Sequence, residues 1–230
     1  MKTGVLVVAG GRGVRMGADV PKQFLPLSDD RCVLEATVER FAEALPEAGI
    51  AVVLPGDCID TWRRINREHR FDVPHTVVAG GADRFGSVRN GLAVFGDVDV
   101  IAVTDGVRPF VSCGLIRRLV AEAAEYGSAV TSTPVSDTLR RRNGEASERA
   151  DRDGFFTVQT PQVFRGDILH KAYEAAGDGK GFTDDASVAE AFGITVRYTA
   201  GERSNIKITS PEDMSVARAV YALERTRGEG

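Results

Sequence analysis

The sequence predicts an α/β chain built on a doubly wound, mostly parallel sheet, and three observations carry that reading. Short β-branched runs alternate with stretches of helical periodicity, and a glycine-rich turn follows the first run. The 230 residues, 43% hydrophobic and 27% charged, are enough for one packed core. The runs are apolar at nearly every position, the mark of strands covered on both faces by helices.

The strand-like runs fall at 5–9, 50–54, 75–79, 98–103 and 129–132. Between them, Leu34, Val38, Phe41 and Leu45 recur with the helical period, as do Val88, Leu92 and Phe95, and then Ile116, Leu119, Val120 and Ala123. Segment 134–159 breaks the alternation. It has no helical stripe, centres on the turn signal Asn143-Gly144, and balances Arg140, Arg141, Arg142, Arg149 and Arg152 against Asp137, Glu145, Glu148, Asp151 and Asp153. It reads as a protruding β-hairpin arm rather than a disordered loop, with Phe155, Phe156 and Val158 as apolar surface to bury. An arm of this kind packs on a partner, so a homodimer is expected, and 1–230 reads as one domain with 134–159 as its arm. Helices are expected over 167–176 and 184–192, and strands over 194–199 and 206–208. A last helix starts at Ser210, Pro211 and Asp213, with Val216, Val220 and Leu223 as its apolar stripe.

Charge narrows the partners. Twenty-nine Lys and Arg against 33 Asp and Glu give −4, which argues against nucleic acid or an anionic membrane as partner. Cys32, Cys58 and Cys113 are isolated, and no Cys-x-x-Cys occurs, so neither a disulfide framework nor a structural zinc is expected. The run at 5–9 is too short for a signal-peptide core, and nothing matches a membrane span; a soluble, cytoplasmic protein is expected.

The first strand runs into Ala9-Gly10-Gly11-Arg12-Gly13-Val14-Arg15-Met16-Gly17, followed by Pro21-Lys22-Gln23-Phe24. Glycines here let backbone N–H groups approach phosphate oxygens with no Cβ in the way. The dinucleotide fingerprint fails, because Met16 stands where its third glycine belongs, and the Gly-Lys-Ser/Thr ending of a P-loop is missing. What remains is a local cationic cradle, with Lys2, Arg12, Arg15 and Lys22 against Asp19 alone. It lies at the end of a parallel strand, where such sheets bind ligands.

The pattern AGG-x-G-x-RMG followed by PKQFLPL resembles the signature of sugar-phosphate nucleotidyltransferases of the glycosyltransferase-A-like type. Further segments follow in the order of one family within it: Gly80-Gly81 with Arg84 and Ser87-Val88, Asp105-Gly-Val-Arg108-Pro109, Asp137-Thr138, Asp151-Arg152, Thr160-Pro161-Gln162, Thr183-Asp184-Asp185-Ala186-Ser187 and Asn205-Ile206-Lys207. They resemble the 2-C-methyl-D-erythritol 4-phosphate cytidylyltransferases of the non-mevalonate isoprenoid pathway, over about residues 3 to 220.

The resemblance implies attack of an acceptor phosphate on the α-phosphorus of CTP, with pyrophosphate leaving. Arg15 and Lys22 would stabilise the triphosphate and the transition state, and Ala9, Gly10, Gly11 and Gly13 would contact the nucleotide through backbone. Gly81 and Ser87 match the cytosine-reading positions. Ala82 replaces a frequent acidic residue, whose contact would be lost or pass to Asp83. Asp105 would hold Mg²⁺ and orient the ribose, with Gly106 acting through its backbone. Arg108, Thr160, Thr183 and Lys207 would meet the acceptor from one subunit, while Thr138 and Arg152 would come from the partner's arm. That makes the dimer's active site shared. A ribitol 5-phosphate cytidylyltransferase is the nearest alternative, and a non-catalytic nucleotide-binding module is a third. Outside these motifs, Trp62 reads as core, and His69, His75 and His170 lack ligand partners at useful spacing.

Overall fold

Val5, Leu6 and Val7 have no exposed side-chain surface, as a run meant for the centre of a sheet requires. They belong to β1 (Thr3–Val8) in a computed structural model that describes residues 1–11 and 20–228. In chain order there follow β2 (Pro26–Ser28), β3 (Arg31–Cys32), α1 (Val33–Ala44), β4 (Gly49–Leu54), α2 (Ile59–Glu68), β5 (Thr76–Ala79) and α3 (Arg84–Leu92). Then come β6 (Val100–Asp105), α4 (Cys113–Tyr126), β7 (Ser128–Pro134), β8 (Arg140–Asn143), β9 (Ala146–Arg149) and β10 (Phe156–Arg165). The chain ends with α5 (Gly166–Ala175), α6 (Asp185–Ala191), β11 (Tyr198–Ala200) and α7 (Pro211–Gly228).

The main sheet has seven strands in the order β11-β7-β10-β6-β1-β4-β5. The pairs β1–β4, β1–β6, β4–β5 and β7–β11 are parallel, and β10 runs antiparallel to both its neighbours. Helices cover both faces, as the sequence predicts. On one face Leu34, Val38 and Phe41 of α1 pack with Trp62 of α2 and Ile116 and Leu119 of α4. On the other, Val88 and Leu92 of α3 meet Leu169 and Tyr173 of α5 and Val188 of α6. Register pairs Val8 with Asp105, so β1 and β6 deliver the glycine turn and a carboxylate to the same end of the sheet.

Four expectations change. Segment 206–208 is not a strand: it runs extended, with the Ile208 N–H donating to the Val107 carbonyl, and no strand lies alongside it. The strand expected over 194–199 is only β11, while Ile194 and Val196 serve as apolar packing under the second face. In α7, Val216 and Leu223 are exposed and Met214 and Ala217 are buried beside Val220 and Tyr221. The periodicity is right but its phase is set by β2 and the 107–110 segment, which no pattern within the helix reveals. Finally, β10 takes in the last residues of the expected arm and the segment after it. Pro161 argues against a central strand because it cannot donate to the ladder, and the register of β10 on β7 shifts between Val158 and Gln162 to accommodate it.

The arm at 134–159 is a hairpin of β8 and β9, rooted in the β7–β10 pairing from Pro134 and Phe156. Gly144, at φ 59°, sits as the first central residue of the turn, a place for which a side chain is poorly suited. Every residue from 140 to 149 is exposed. Phe155 and Phe156 remain 55% and 48% exposed, so within one chain they do not find the burial expected of them. Phe156 meets the Tyr198 ring at a tilt, with centroids 4.7 Å apart.

Candidate active site

The ends of β1, β5 and β6 and the start of α3 enclose a cavity of about 270 Å³. Ala9, Gly10, Gly11, Lys22, Gly81, Ser87, Asp105 and Lys207 line it, which brings together eight of the residues singled out in the sequence. Gly13 and Arg15 lie outside the described residues.

The floor is built from short, stiff connections. After β1 the Ala9 N–H donates to Val53 O at 2.8 Å, and the Ala9 carbonyl accepts from the fully buried Gln23 side chain at 2.9 Å. That second bond ties the Lys22 turn to the strand end. Lys22 Nζ reaches Ile208 O at 3.1 Å, so the ammonium is held across the cavity mouth. Phe24, two residues on, stacks on Trp62 with centroids 6.2 Å apart, which confirms Trp62 as core. His75 accepts the Trp62 indole N–H at 3.0 Å and is occupied in that way.

On the α3 side the loop 80–83 closes on itself. Ser87 Oγ accepts the Gly81 N–H at 3.1 Å and donates to Asp83 O at 2.7 Å, leaving one lone pair for an incoming donor. Asp83 caps α3 through Gly86 N at 2.7 Å. Its Oδ1 is thus engaged by the helix, while Asp83 also lines the cavity beside Ala82. A Cβ at Gly81 would lie 2.6 Å from the Gly86 carbonyl carbon, so only glycine lets the loop pass. Gly106 has the same constraint, with Leu34 and Ala9 side chains within 2.9 Å of a built Cβ, and its N–H already donates to Val8 O. It serves close packing behind the site and offers the ligand no N–H.

Asp105 is the electrostatic centre. Lys207 Nζ lies 2.9 Å from its Oδ2 and Arg108 Nε 3.4 Å from the same oxygen. Burial pushes its carboxyl up, but Lys207, Arg84 and Arg108 outweigh that and hold it below the ordinary value. Arg108 is itself buried, its basicity lowered by desolvation against the pull of Asp105, and its Nη1 donates to Asn205 O at 2.7 Å. Thr160 Oγ1 accepts the Asp105 N–H at 2.9 Å, which places this hydroxyl behind the carboxylate. Among the described residues no cluster of three His, Cys, Asp or Glu side chains gathers, so a metal caged by protein alone has no seat. Mg²⁺ needs only one or two carboxylates when phosphates complete its shell, and Asp105 fits that role because both cations occupy Oδ2.

Three residues stand apart from this cavity. Thr183 is exposed just before α6. Thr138 and Arg152 line a separate polar recess on the arm, where Arg152 Nη1 donates to Ser136 O at 2.6 Å instead of pairing with Asp151 or Asp153. Residues given no role in the sequence reading also matter here. Gln23 and Asn205 are buried carboxamides that link the turns around the cavity, and the quoted motifs contain both of them. Chain-local patterning carries no sign that they are buried.

Cations gathered around one strand-end carboxylate suit a reaction between two phosphate-bearing molecules, and with this sheet they define a nucleotidyltransferase. Comparison with known proteins narrows the class. The family model described as 2-C-methyl-D-erythritol 4-phosphate cytidylyltransferase matches residues 3–223, and the chain belongs to that family. A protein of that name from Bacteroides fragilis is 45% identical over 215 residues, covering 94% of this chain and 97% of its own. One from Porphyromonas gingivalis is 44% identical, covering 93% and 95%. Among solved structures, the Thermus thermophilus cytidylyltransferase is 33% identical with a TM-score of 0.78, covering 96% and 98%. The Anaerococcus prevotii 4-diphosphocytidyl-2C-methyl-D-erythritol synthase has a TM-score of 0.80 at 27% identity, covering 96% of both chains.

Proposed function

We propose that the chain transfers the cytidylyl group of CTP to 2-C-methyl-D-erythritol 4-phosphate, releasing pyrophosphate, in a Mg²⁺-dependent site shared between two copies. The cytidylyltransferase activity and its place in isoprenoid biosynthesis follow from family membership. The observation that carries the site assignment is Asp105, flanked by Lys207 and Arg108 and facing Lys22 across one cavity.

Gly10 and Gly11 open a path for the triphosphate along backbone, and the free lone pair of Ser87 suits the amino edge of cytosine. Lys22 faces the triphosphate and neutralises charge as pyrophosphate departs; Arg15 is assigned the same task from the family pattern. Lys207 and Arg108 draw the acceptor phosphate toward the α-phosphorus, so that attack and departure lie in line. A phosphate oxygen of the acceptor is already ionised at neutral pH, and no protein base is required for it. Asp105 would hold Mg²⁺, which would supply further charge neutralisation at the phosphates. Thr160 and Thr183 are assigned to the acceptor's hydroxyls. Thr138 and Arg152 are assigned to the partner's arm, which fits their position in a recess of their own and the exposed Phe155 and Phe156 at its base. The proposal includes a cytoplasmic setting, which fits isolated cysteines with no Cys-x-x-Cys among them.

Pyrophosphate release with CTP and Mg²⁺, compared for 2-C-methyl-D-erythritol 4-phosphate and ribitol 5-phosphate, tests this. Preference for the first is expected. Preference for ribitol phosphate would reassign the acceptor, and release that persists undiminished in EDTA would remove the metal.

A further inference from the structure

Arg84, Asp185 and Tyr173 form a charged cluster to which the transfer reaction gives no role. Arg84 opens α3 directly after the loop 80–83 and lines the cavity. Its guanidinium grips Asp185, the first residue of α6, with both nitrogens: Nη1 to Oδ1 at 3.0 Å and Nη2 to Oδ2 at 2.6 Å. The Asp185 side chain is fully buried, and Oδ1 also accepts the Tyr173 hydroxyl at 2.6 Å. Burial weakens Arg84 as a base, but Asp185 more than compensates, so the guanidinium stays charged. Burial and then Asp185 raise Tyr173, which therefore remains a donor.

Stability does not call for such a pair. Desolvating two charges roughly cancels their attraction, and an apolar replacement of similar volume is often as stable. The same segments are already joined by stacked rings, with Phe85 on Tyr173 at 4.8 Å and on Phe182 at 6.1 Å. What the bidentate pair adds is direction, because a planar fork accepts a carboxylate in one orientation. The contacts also continue past it. Next to Asp185, Asp184 accepts from Gln162 at 2.9 Å, and Gln162 Oε1 takes the Ala186 N–H at 2.8 Å. Two residues before Gln162 on the same strand, Thr160 receives the Asp105 N–H. Polar contacts joined by short stretches of backbone thus run from the loop 80–83, through Arg84 and Asp185, to the backbone N–H of Asp105.

We propose that Arg84, held by Asp185 and Tyr173, is a positioning residue that couples the two halves of the site. It locks the loop 80–83, on the nucleotide side, to the start of α6, which carries Thr183 and Asp184 on the acceptor side. The inference rests on the assignment of CTP and a polyol phosphate to this cavity. Its consequence is positive coupling: either ligand, once bound, fixes the loop geometry that the other requires, and the effect is reciprocal.

Titration calorimetry tests it, using a CTP analogue with a methylene between the α- and β-phosphates, with Mg²⁺, in the absence and presence of saturating 2-C-methyl-D-erythritol 4-phosphate. The wild-type chain is expected to bind the analogue about tenfold more tightly when the acceptor is present. Tyr173→Phe and Asp185→Asn are expected to bind the analogue alone nearly as the wild type does and to lose most of that gain. Tyr173→Phe keeps the ring on Phe85 and loses only a hydroxyl, so it separates coupling from folding. Retention of the full gain in both variants overturns the inference, as does equal weakening with and without acceptor, the sign of a merely structural role. A wild type with no gain overturns the coupling but leaves the nucleotide assignment standing. A wild type that does not bind the analogue overturns both.

Discussion

The cavity at the strand ends and the arm over 134–159 carry similar chemistry on opposite kinds of scaffold. Around the cavity, three charged groups are held by partners distant in sequence: Lys22 by Ile208, Asp105 by Lys207, Arg108 by Asn205. On the arm, Arg141 is held by Glu148 across the hairpin and Arg152 by Ser136, and residues 140–149 are exposed throughout. A two-stranded ribbon alone is marginal in water, so one whose functional residues face solvent gains order chiefly from what it docks on. The cavity is assembled by its own chain; under the proposed function, the arm is finished by a second copy.

The largest effect that would break this contrast concerns Lys22. Lys22→Ala is expected to lower kcat about 100- to 1000-fold, as loss of a transition-state donor does, with little change in melting temperature. A large loss of stability instead would show that its task is structural. Arg152→Ala is expected to lower kcat/KM for the acceptor about 10- to 100-fold, the scale of one charge-assisted hydrogen bond, and to leave KM for CTP alone. A change in CTP affinity would place the arm on the wrong ligand. Gly81→Ala is expected to cost about 1–3 kcal/mol through overpacking against Gly86 and to raise KM for CTP, which steady-state kinetics and thermal melts report together.

Smaller effects sharpen the same division. Asp213 caps α7 by accepting the N–H groups of Thr209 and Ser210, just beyond the Ile208 carbonyl that holds Lys22. Burial raises its carboxyl, but those hydrogen bonds prevail and lower it below the ordinary value. Its stabilisation is therefore present above the ordinary carboxylate pKa and is lost as pH falls through the lowered one. Asp213→Ala is expected to cost about 1 kcal/mol at neutral pH, and the difference should vanish in acid; urea unfolding at two pH values checks it. Arg141→Ala, on the arm, should leave the melting temperature unchanged, because an exposed ion pair contributes little.

The parts legible in the sequence were those that repeat along it. Continuous apolar runs marked the parallel strands, and glycines beside cations marked the site, because both depend on neighbours in the chain. β10 was hidden by Pro161, whose place in the sheet depends on a register shift against β7. The buried face of α7 was misread because Met214 and Ala217 are selected by packing against distant segments. Within the site, Lys22 stood out as a cation beside the glycine loop and Asp105 as a strand-end carboxylate, while Lys207 was marked only by the family resemblance. The partnership of Arg84 with Asp185 was not, since 101 positions separate them and only the fold brings them together. The resemblance assigns Ser87 to the nucleotide; what no local pattern shows is that its hydroxyl closes the loop on Gly81 and Asp83.

Subunit mixing tests most directly whether the arm of one chain completes the cavity of another. Lys22→Ala and Arg152→Ala proteins are mixed after dissociation and assayed for pyrophosphate release at acceptor concentrations well below KM, where both parents are impaired. In a mixed dimer, the cavity of the Arg152→Ala chain keeps its own Lys22 and receives a native Arg152 from its partner. Random reassortment of equal amounts is predicted to restore about a quarter of the wild-type activity. Mixed dimers that form and stay as inactive as their parents would contradict the shared site.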